Sequence, residues 1–150
     1  MLNRLQEVFA SFQKHDVKYV VIGGVAAVLY GVPRATFDLD ILIEATPHNA
    51  RRLLDALIDA GLGTAHLITA EELLAEEITV FKDRVRIDVQ TSTPGLNFPD
   101  AWQRRVKMKF QQQEFYVVDR QDLIASKRAA ARKVDLEDVR ILELPDSSTT

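Results

Sequence analysis

Apolar side chains recur at two different spacings along this chain, and the two spacings alternate. Residues 2–15 carry them at helical spacing, at Leu2, Leu5, Val8, Phe9 and Phe12. Residues 18–22 form a short β-rich run that is typical of a buried strand. Since a helix repeats roughly every 3.6 residues and a strand every two, these patterns predict a helix followed by a strand.

Strand and helix patterns continue to alternate through the rest of the chain. The patterns predict strands over residues 37–44, 78–81, 85–90, 108–110 and 114–118. They predict helices over residues 24–30, 47–60, 100–106, 119–132 and 135–144, with a short one after Thr69. Thr46-Pro47 is typical of a helix start, and Thr69 with Glu72 matches a capping box. We therefore expect an α/β (α+β) fold, with a small mixed sheet and flanking helices, in one domain over residues 1–144. Residues 145–150 carry no apolar side chain and are expected to form a disordered tail.

Composition narrows the class of protein. The 150 residues are 47% hydrophobic and 27% charged, with a net charge of −3, which is ordinary for a soluble domain. This charge argues against a large nucleic-acid footprint, although Arg104, Arg105, Lys107 and Lys109 form a local basic cluster. The absence of cysteine excludes disulfides and Cys-based sites. No apolar run approaches the ~20 residues of a membrane span, and no signal peptide precedes the first helix, so we expect no membrane association and a cytoplasmic location.

Two aspartates mark the most informative segment. Asp38 and Asp40 flank Leu39 in a predicted strand, so both side chains point to the same face. Two unpaired carboxylates side by side repel each other, and a hard divalent cation such as Mg²⁺ or Mn²⁺ is a chemical reason to pair them. Gly23-Gly24, at the end of the preceding strand, lets the backbone approach a ligand closely. The alternative is a pair of solvated aspartates and a plain tight turn.

These features together resemble the nucleotidyltransferase superfamily that includes DNA polymerase beta. The resemblance rests on Ile22-Gly23-Gly24, on Asp38-Leu39-Asp40, and on a third carboxylate, Asp88, in a later strand. The stretches 33–40 and 122–138 are similar to a subgroup of small bacterial proteins grouped with AbiEii-type toxins. The resemblance extends from about Tyr19 to about Leu142.

The resemblance implies roles for individual residues. Asp38, Asp40 and Asp88 would be catalytic and would hold one or two Mg²⁺ or Mn²⁺ ions, with Asp88 as a ligand or a proton acceptor. The nucleoside triphosphate would contact Gly23, Gly24 and Lys127. Arg34 and Thr36 precede the aspartates and are candidates for the same site: Arg34 could pair with a phosphate or hold a carboxylate in place. The alternative is a loop arginine and a strand-entry threonine. For Lys127 the alternative is an exposed helix lysine paired with Asp122 or Glu114. Asp135 is expected to cap the last helix, Asp138 to be exposed, and Trp102 to pack rather than stack on a base.

The implied activity is transfer of a nucleoside monophosphate from an NTP to an acceptor hydroxyl. The acceptor stays open between an RNA end, a protein and a small molecule. Because the chain is short, we expect that a partner protein or a homodimer completes the acceptor site. The competing hypothesis is a non-catalytic module that binds a nucleotide or a partner, such as one component of a toxin–antitoxin pair.

Overall fold

Six strands form one mixed sheet in the computed structural model, which describes residues 1–145. They are β1 (Tyr19–Ile22), β2 (Asp38–Ile43), β3 (Ile78–Lys82), β4 (Arg86–Gln90), β5 (Val106–Phe110) and β6 (Gln113–Val117). Their order across the sheet is β3-β4-β2-β1-β6-β5. Strand β2 runs antiparallel to β1 and parallel to β4, while β6 runs parallel to β1. The expected mixed sheet with flanking helices is confirmed.

Seven α-helices and two short 3₁₀ turns surround the sheet in the described part of the chain. The helices are α1 (Gln6–Lys14), α2 (Gly23–Leu29), α3 (Pro47–Asp59), α4 (Ala70–Ala75), α5 (Phe98–Gln103), α6 (Arg120–Ala130) and α7 (Lys133–Leu142). The 3₁₀ turns are Leu2–Arg4 and Gly63–Leu67. None of these helices is long and apolar enough to cross a bilayer. The expected tail at residues 145–150 lies outside the described residues, apart from Pro145.

Side-chain caps set the starts of several helices. The Thr46 hydroxyl accepts a hydrogen bond from the Asn49 N–H at 3.3 Å, ahead of Pro47 in the first turn of α3. Thr69 and Glu72 form the expected capping box of α4, in which each side chain accepts from the backbone N–H of the other. Both predicted helix starts are confirmed.

Aromatic packing joins the first helix to the sheet. Phe9 of α1 stacks on Phe115 of β6 with 4.5 Å between ring centroids, and Phe12 lies 4.8 Å from Tyr19 of β1. All four side chains are at most 3% exposed. Burying each such ring stabilises the fold by about 1.5–3 kcal/mol, so α1 anchors the sheet on the β1–β6 side.

Three sequence expectations are wrong in detail. Phe37, the first residue of the strand predicted over residues 37–44 and expected on its apolar face with Leu39, precedes β2 and is 87% exposed. Helix α5 begins two residues before the predicted start, because the Asn97 side chain accepts from the Asp100 N–H and caps it. Helix α7 begins at Lys133, so Asp135 lies inside its first turn instead of preceding it.

Candidate functional site

The strand register places three carboxylates on one surface of the sheet. Asp38 and Asp40 are half-buried on β2, whereas Leu39 between them is 1% exposed on the opposite face. In the parallel pairing of β2 with β4, Asp40 lies opposite Asp88. The residues that the sequence assigned to a metal are therefore neighbours.

Gly23 and Gly24 lie directly against this carboxylate group. Gly23 has a φ of +67°, and a Cβ there would collide with the Oδ2 atom of Asp40. A Cβ on Gly24 would lie only 2.8 Å from the Thr36 hydroxyl and 3.3 Å from Nη2 of Arg34. Only glycine fits both positions without displacing these side chains. The glycine pair thus packs Asp40 on one side and the Arg34–Thr36 segment on the other.

The surroundings of Asp40 disfavour the charged form of its carboxyl group. Burial, the neighbouring Asp88 and, more weakly, Asp38 raise the pKa of Asp40 from 3.8 to about 7, and Arg132 opposes them. A carboxylate with a raised pKa lacks sufficient compensating positive charge. A bound divalent cation would supply that charge, so the donor set fits a hard metal ion.

Arg86 is a component of the site that the sequence interpretation missed. Its Nε lies 2.9 Å from Oδ1 of Asp88 and 3.7 Å from Oδ2 of Asp38, and its Nη2 lies 3.3 Å from Oδ2 of Asp88. The guanidinium therefore binds two of the three carboxylates. Within residues 1–145, no three acidic or histidine side chains stand close enough together to form a ready-made metal cluster.

A cavity of about 430 Å³ opens over the carboxylates. Its lining includes Gly23, the three carboxylates and that of Asp135, and three cationic side chains, Arg86, Lys127 and Arg132. A cavity that contains both carboxylates and cations can bind a metal together with a phosphorylated ligand.

Lys127 lines this cavity as part of a buried ionic network and is not an exposed lysine on a helix surface. It is only 4% exposed, with Nζ 2.8 Å from Oδ2 of Asp138 and 3.5 Å from Oδ1 of Asp135. The alternative pairing is wrong, because Asp122 binds Arg104 and Glu114 lies near Lys107.

Asp135 and Asp138 are buried, at 2% exposure each, which corrects the expectation that Asp138 is exposed. Asp135 does contribute to the cap of α7, although from inside the first turn. Asp135 accepts from the Arg132 backbone N–H at 3.2 Å and from its Nε at 2.7 Å. Asp138 binds both Nε and Nη2 of Arg34, at 3.1 and 2.8 Å. Burial alone would raise the pKa of each aspartate, but the hydrogen bonds from these cations hold it below its ordinary value. Acidic residues on a helix usually face water, so the local sequence pattern does not indicate this burial.

Residues 2–147, which contain every element of this site, match the family described as "Nucleotidyltransferase of unknown function (DUF6036)". The chain belongs to this family. The match supports the nucleotidyltransferase superfamily and a probable enzyme; membership of the AbiEii-type subgroup stays a prediction. Among curated proteins, no significant match was found.

A second cavity of about 400 Å³ lies beside the carboxylate cavity of this nucleotidyltransferase family member. Asp38 lines both cavities, and Arg34 and Thr36 line the second. Most of the remaining lining is apolar and includes the exposed ring of Phe37 and the side chain of Val28. The volume lies within the range of about 300–1,000 Å³ that is typical of small-ligand sites.

The basic cluster predicted near residue 105 is exposed apart from Arg105. The Arg105 guanidinium stacks over Trp102 at 3.7 Å from the ring centroid, and Trp102 packs edge-on against Tyr116. Arg104 is paired with Asp122. The expectation that Trp102 packs is confirmed, and the cluster is partly neutralised.

Proposed function

We propose that this protein is a metal-dependent nucleotidyltransferase that moves a nucleoside monophosphate from an NTP to an acceptor hydroxyl. The observation that carries the proposal is the register of Asp40 beside Asp88, with Gly23 packed against the Asp40 carboxylate. Family membership supports the reaction class. The metal, the nucleotide and the acceptor belong to the proposal.

Asp38 and Asp40 are the residues that would hold Mg²⁺ or Mn²⁺. Mg²⁺ usually takes one or two protein carboxylates and completes its shell with water and substrate phosphates, so a compact cluster of three protein ligands is not required. When bound, the metal neutralises the triphosphate and lowers the pKa of the attacking hydroxyl. The raised pKa of Asp40 supports this assignment, because a bound cation would offset the burial and the carboxylate repulsion that raise it.

We assign Asp88 to activation of the acceptor hydroxyl. Arg86 donates to both of its carboxylate oxygens and so fixes the orientation of the group. In this orientation Asp88 can accept the hydroxyl proton or act as a further metal ligand.

Lys127 and Arg132 are the proposed binding residues for the phosphates. Both line the carboxylate cavity together with Asp38 and Asp40, and the Arg132 side chain is 74% exposed. Backbone N–H groups at Gly23 and Gly24 add donors that no Cβ obstructs. Arg34 and Thr36 would contact the nucleotide from the second cavity.

The second cavity is proposed to hold the rest of one substrate, either the nucleobase or the acceptor. An RNA end, a protein side chain and a small molecule stay open as acceptors. A partner protein or a homodimer that completes the site stays a prediction, as does the cytoplasmic location.

The decisive experiment follows a radiolabelled phosphate group of the nucleotide. The protein is incubated with each NTP carrying radiolabel at the α- or the γ-phosphate, with Mg²⁺ or Mn²⁺ and a cell extract. Transfer of α-label to an acceptor, with release of pyrophosphate, supports nucleotidyl transfer. Transfer of γ-label would instead indicate a kinase. Asp38→Asn/Asp40→Asn should abolish α-label transfer, and Asp55→Asn, on the exposed side of α3, is the matched control.

The second candidate function is a non-catalytic nucleotide- or partner-binding module, for example a toxin–antitoxin component. One observation favours it: Arg86 engages both oxygens of Asp88, which ties up the residue that chemistry would need. Metal-dependent nucleotide binding without any label transfer, in several extracts, would support this alternative.

A further inference from the structure

Asp138 joins two cations that come from distant parts of the chain. Arg34 lies in the loop between α2 and β2, Lys127 lies on α6, and Asp138 lies on α7. Arg34 donates to both carboxylate oxygens of Asp138, and Lys127 Nζ lies 2.8 Å from one of them. One buried carboxylate therefore fixes both side chains.

Stability alone is a weak reason to build such a group. Desolvation of buried ions costs several kcal/mol per ion, and well-packed apolar residues often stabilise a fold equally well. Within residues 1–145, the one other carboxylate within 4.0 Å of Lys127 Nζ is that of Asp135, at 3.5 Å, and Arg132 already binds Asp135 at 2.7 Å. The position of the Lys127 ammonium group therefore depends mainly on Asp138.

The two cations that Asp138 holds face different cavities. Lys127 lines the carboxylate cavity, and Arg34 lines the second cavity. Asp38 lines both, so each cation shares a cavity with a proposed metal ligand. A phosphate chain bound beside Asp38 could contact either of them.

We propose that Asp138 is a positioning residue for the nucleotide: it holds Lys127 and Arg34 in place so that they can bind the phosphates of a metal–NTP complex. This inference rests on the proposed function. Asp138 acts through the two cations and does not itself touch the nucleotide. Without its charge, Lys127 would move toward Asp135, and Arg34 would lose its bidentate partner.

A purely structural role for Asp138 makes a different prediction. If it only fastened α7 to the rest of the fold, its loss would lower the melting temperature and leave the nucleotide affinity of the folded protein unchanged. Affinity for metal–NTP, measured well below the melting temperature, therefore separates the two roles.

Calorimetric titration with ATP, GTP, CTP and UTP in Mg²⁺ tests the proposal on wild type, Asp138→Asn and Asp138→Glu. Asp138→Asn should weaken the best-bound nucleotide about tenfold or more, because the phosphates would lose charge-assisted contacts with Lys127 and Arg34. Asp138→Glu, which keeps the charge, should recover part of the affinity. The matched control is Asp122→Asn, which removes another bidentate arginine–carboxylate pair, at 2.9 Å for both bonds, away from both cavities.

A second variant keeps the proposal testable if Asp138→Asn does not fold. Arg34→Gln/Asp138→Asn removes one cation and one anion together, so the net charge of the network is unchanged. It should fold and still bind the nucleotide about tenfold more weakly or worse. Wild-type affinity in a folded Asp138→Asn or in this double variant would overturn the inference alone. Failure of the wild type to bind any NTP with Mg²⁺ or Mn²⁺ would overturn the proposed function, and the inference with it.

Discussion

Arg86 donates to both carboxylate oxygens of Asp88, two residues further along the same strand, at 2.9 and 3.3 Å. The same guanidinium lies 3.7 Å from Asp38. A positive charge is thus present where the proposed cation would bind. Arg86 and a bound metal ion would compensate the same carboxylates, so the two would compete electrostatically.

The first prediction follows from this competition. Arg86→Gln removes the positive charge, so the affinity for Mn²⁺ in the absence of nucleotide should rise several-fold, because the guanidinium repels a cation that binds the same carboxylates. Mn²⁺ binding can be followed by electron paramagnetic resonance. Arg84→Gln, which removes an exposed arginine of the β3–β4 turn, is the control. Weaker Mn²⁺ binding by Arg86→Gln would mean that Arg86 organises the carboxylates and does not compete with the metal.

The second prediction concerns pH and Asp40 in the metal-free protein. Between the ordinary pKa of 3.8 and the folded-state pKa of about 7, the folded state binds the proton more tightly than the unfolded state. The free energy of unfolding therefore falls as pH rises through this window and stays lower above it. Asp40→Asn removes this pH dependence. From pH 4 to pH 8, the free energy of unfolding of the variant relative to that of the wild type should therefore rise by on the order of 1 kcal/mol or more.

Urea unfolding in the presence of EDTA, at several pH values, measures this difference. Asp55→Asn should follow the wild type, because Asp55 is exposed on α3. A difference between Asp40→Asn and wild type that does not change with pH would show that Asp40 has no raised pKa in solution.

Much of the fold could be predicted because its elements carry strong local signals. The two caps at Thr46 and Thr69 are complete within four residues of sequence, and both form as expected. The alternation around Leu39 placed Asp38 and Asp40 on one face. Phe37 is the exception, since the alternating pattern continues one residue beyond the point where strand pairing begins.

The contacts that shape the site depend on pairing between strands and helices, which local patterns do not contain. The register of Asp40 with Asp88 follows from the parallel pairing of β2 with β4, across 48 residues of chain. Asp135 and Asp138 look like ordinary exposed helix residues until their cationic partners are known. Arg86 could have been found, because residues two apart on a strand share a face, as Arg86 and Asp88 do.

The third prediction separates chemistry from binding at Asp88. Asp88→Asn should lower label transfer by orders of magnitude while changing the affinity for Mg²⁺–NTP much less, because Asp38 and Asp40 still hold the metal that carries the nucleotide. Single-turnover transfer and calorimetric affinity are the two measurements. Loss of nucleotide binding equal to that of Asp38→Asn would place Asp88 in the binding site alone, and unchanged transfer would remove it from the mechanism.

The fourth prediction assigns the second cavity through Phe37. This ring is 87% exposed, so Phe37→Ala should change the free energy of unfolding by no more than about 0.5 kcal/mol. If the cavity holds the nucleobase, the variant should lose affinity for metal–NTP, because stacking on an aromatic ring contributes about 1–3 kcal/mol per base. If the cavity holds the acceptor, nucleotide affinity should persist while α-label transfer in the extract falls. Leu67→Ala, at a position that is 82% exposed and lines neither cavity, is the matched control. If Phe37→Ala behaves like Leu67→Ala in both nucleotide affinity and α-label transfer, the Phe37 ring has no part in substrate binding.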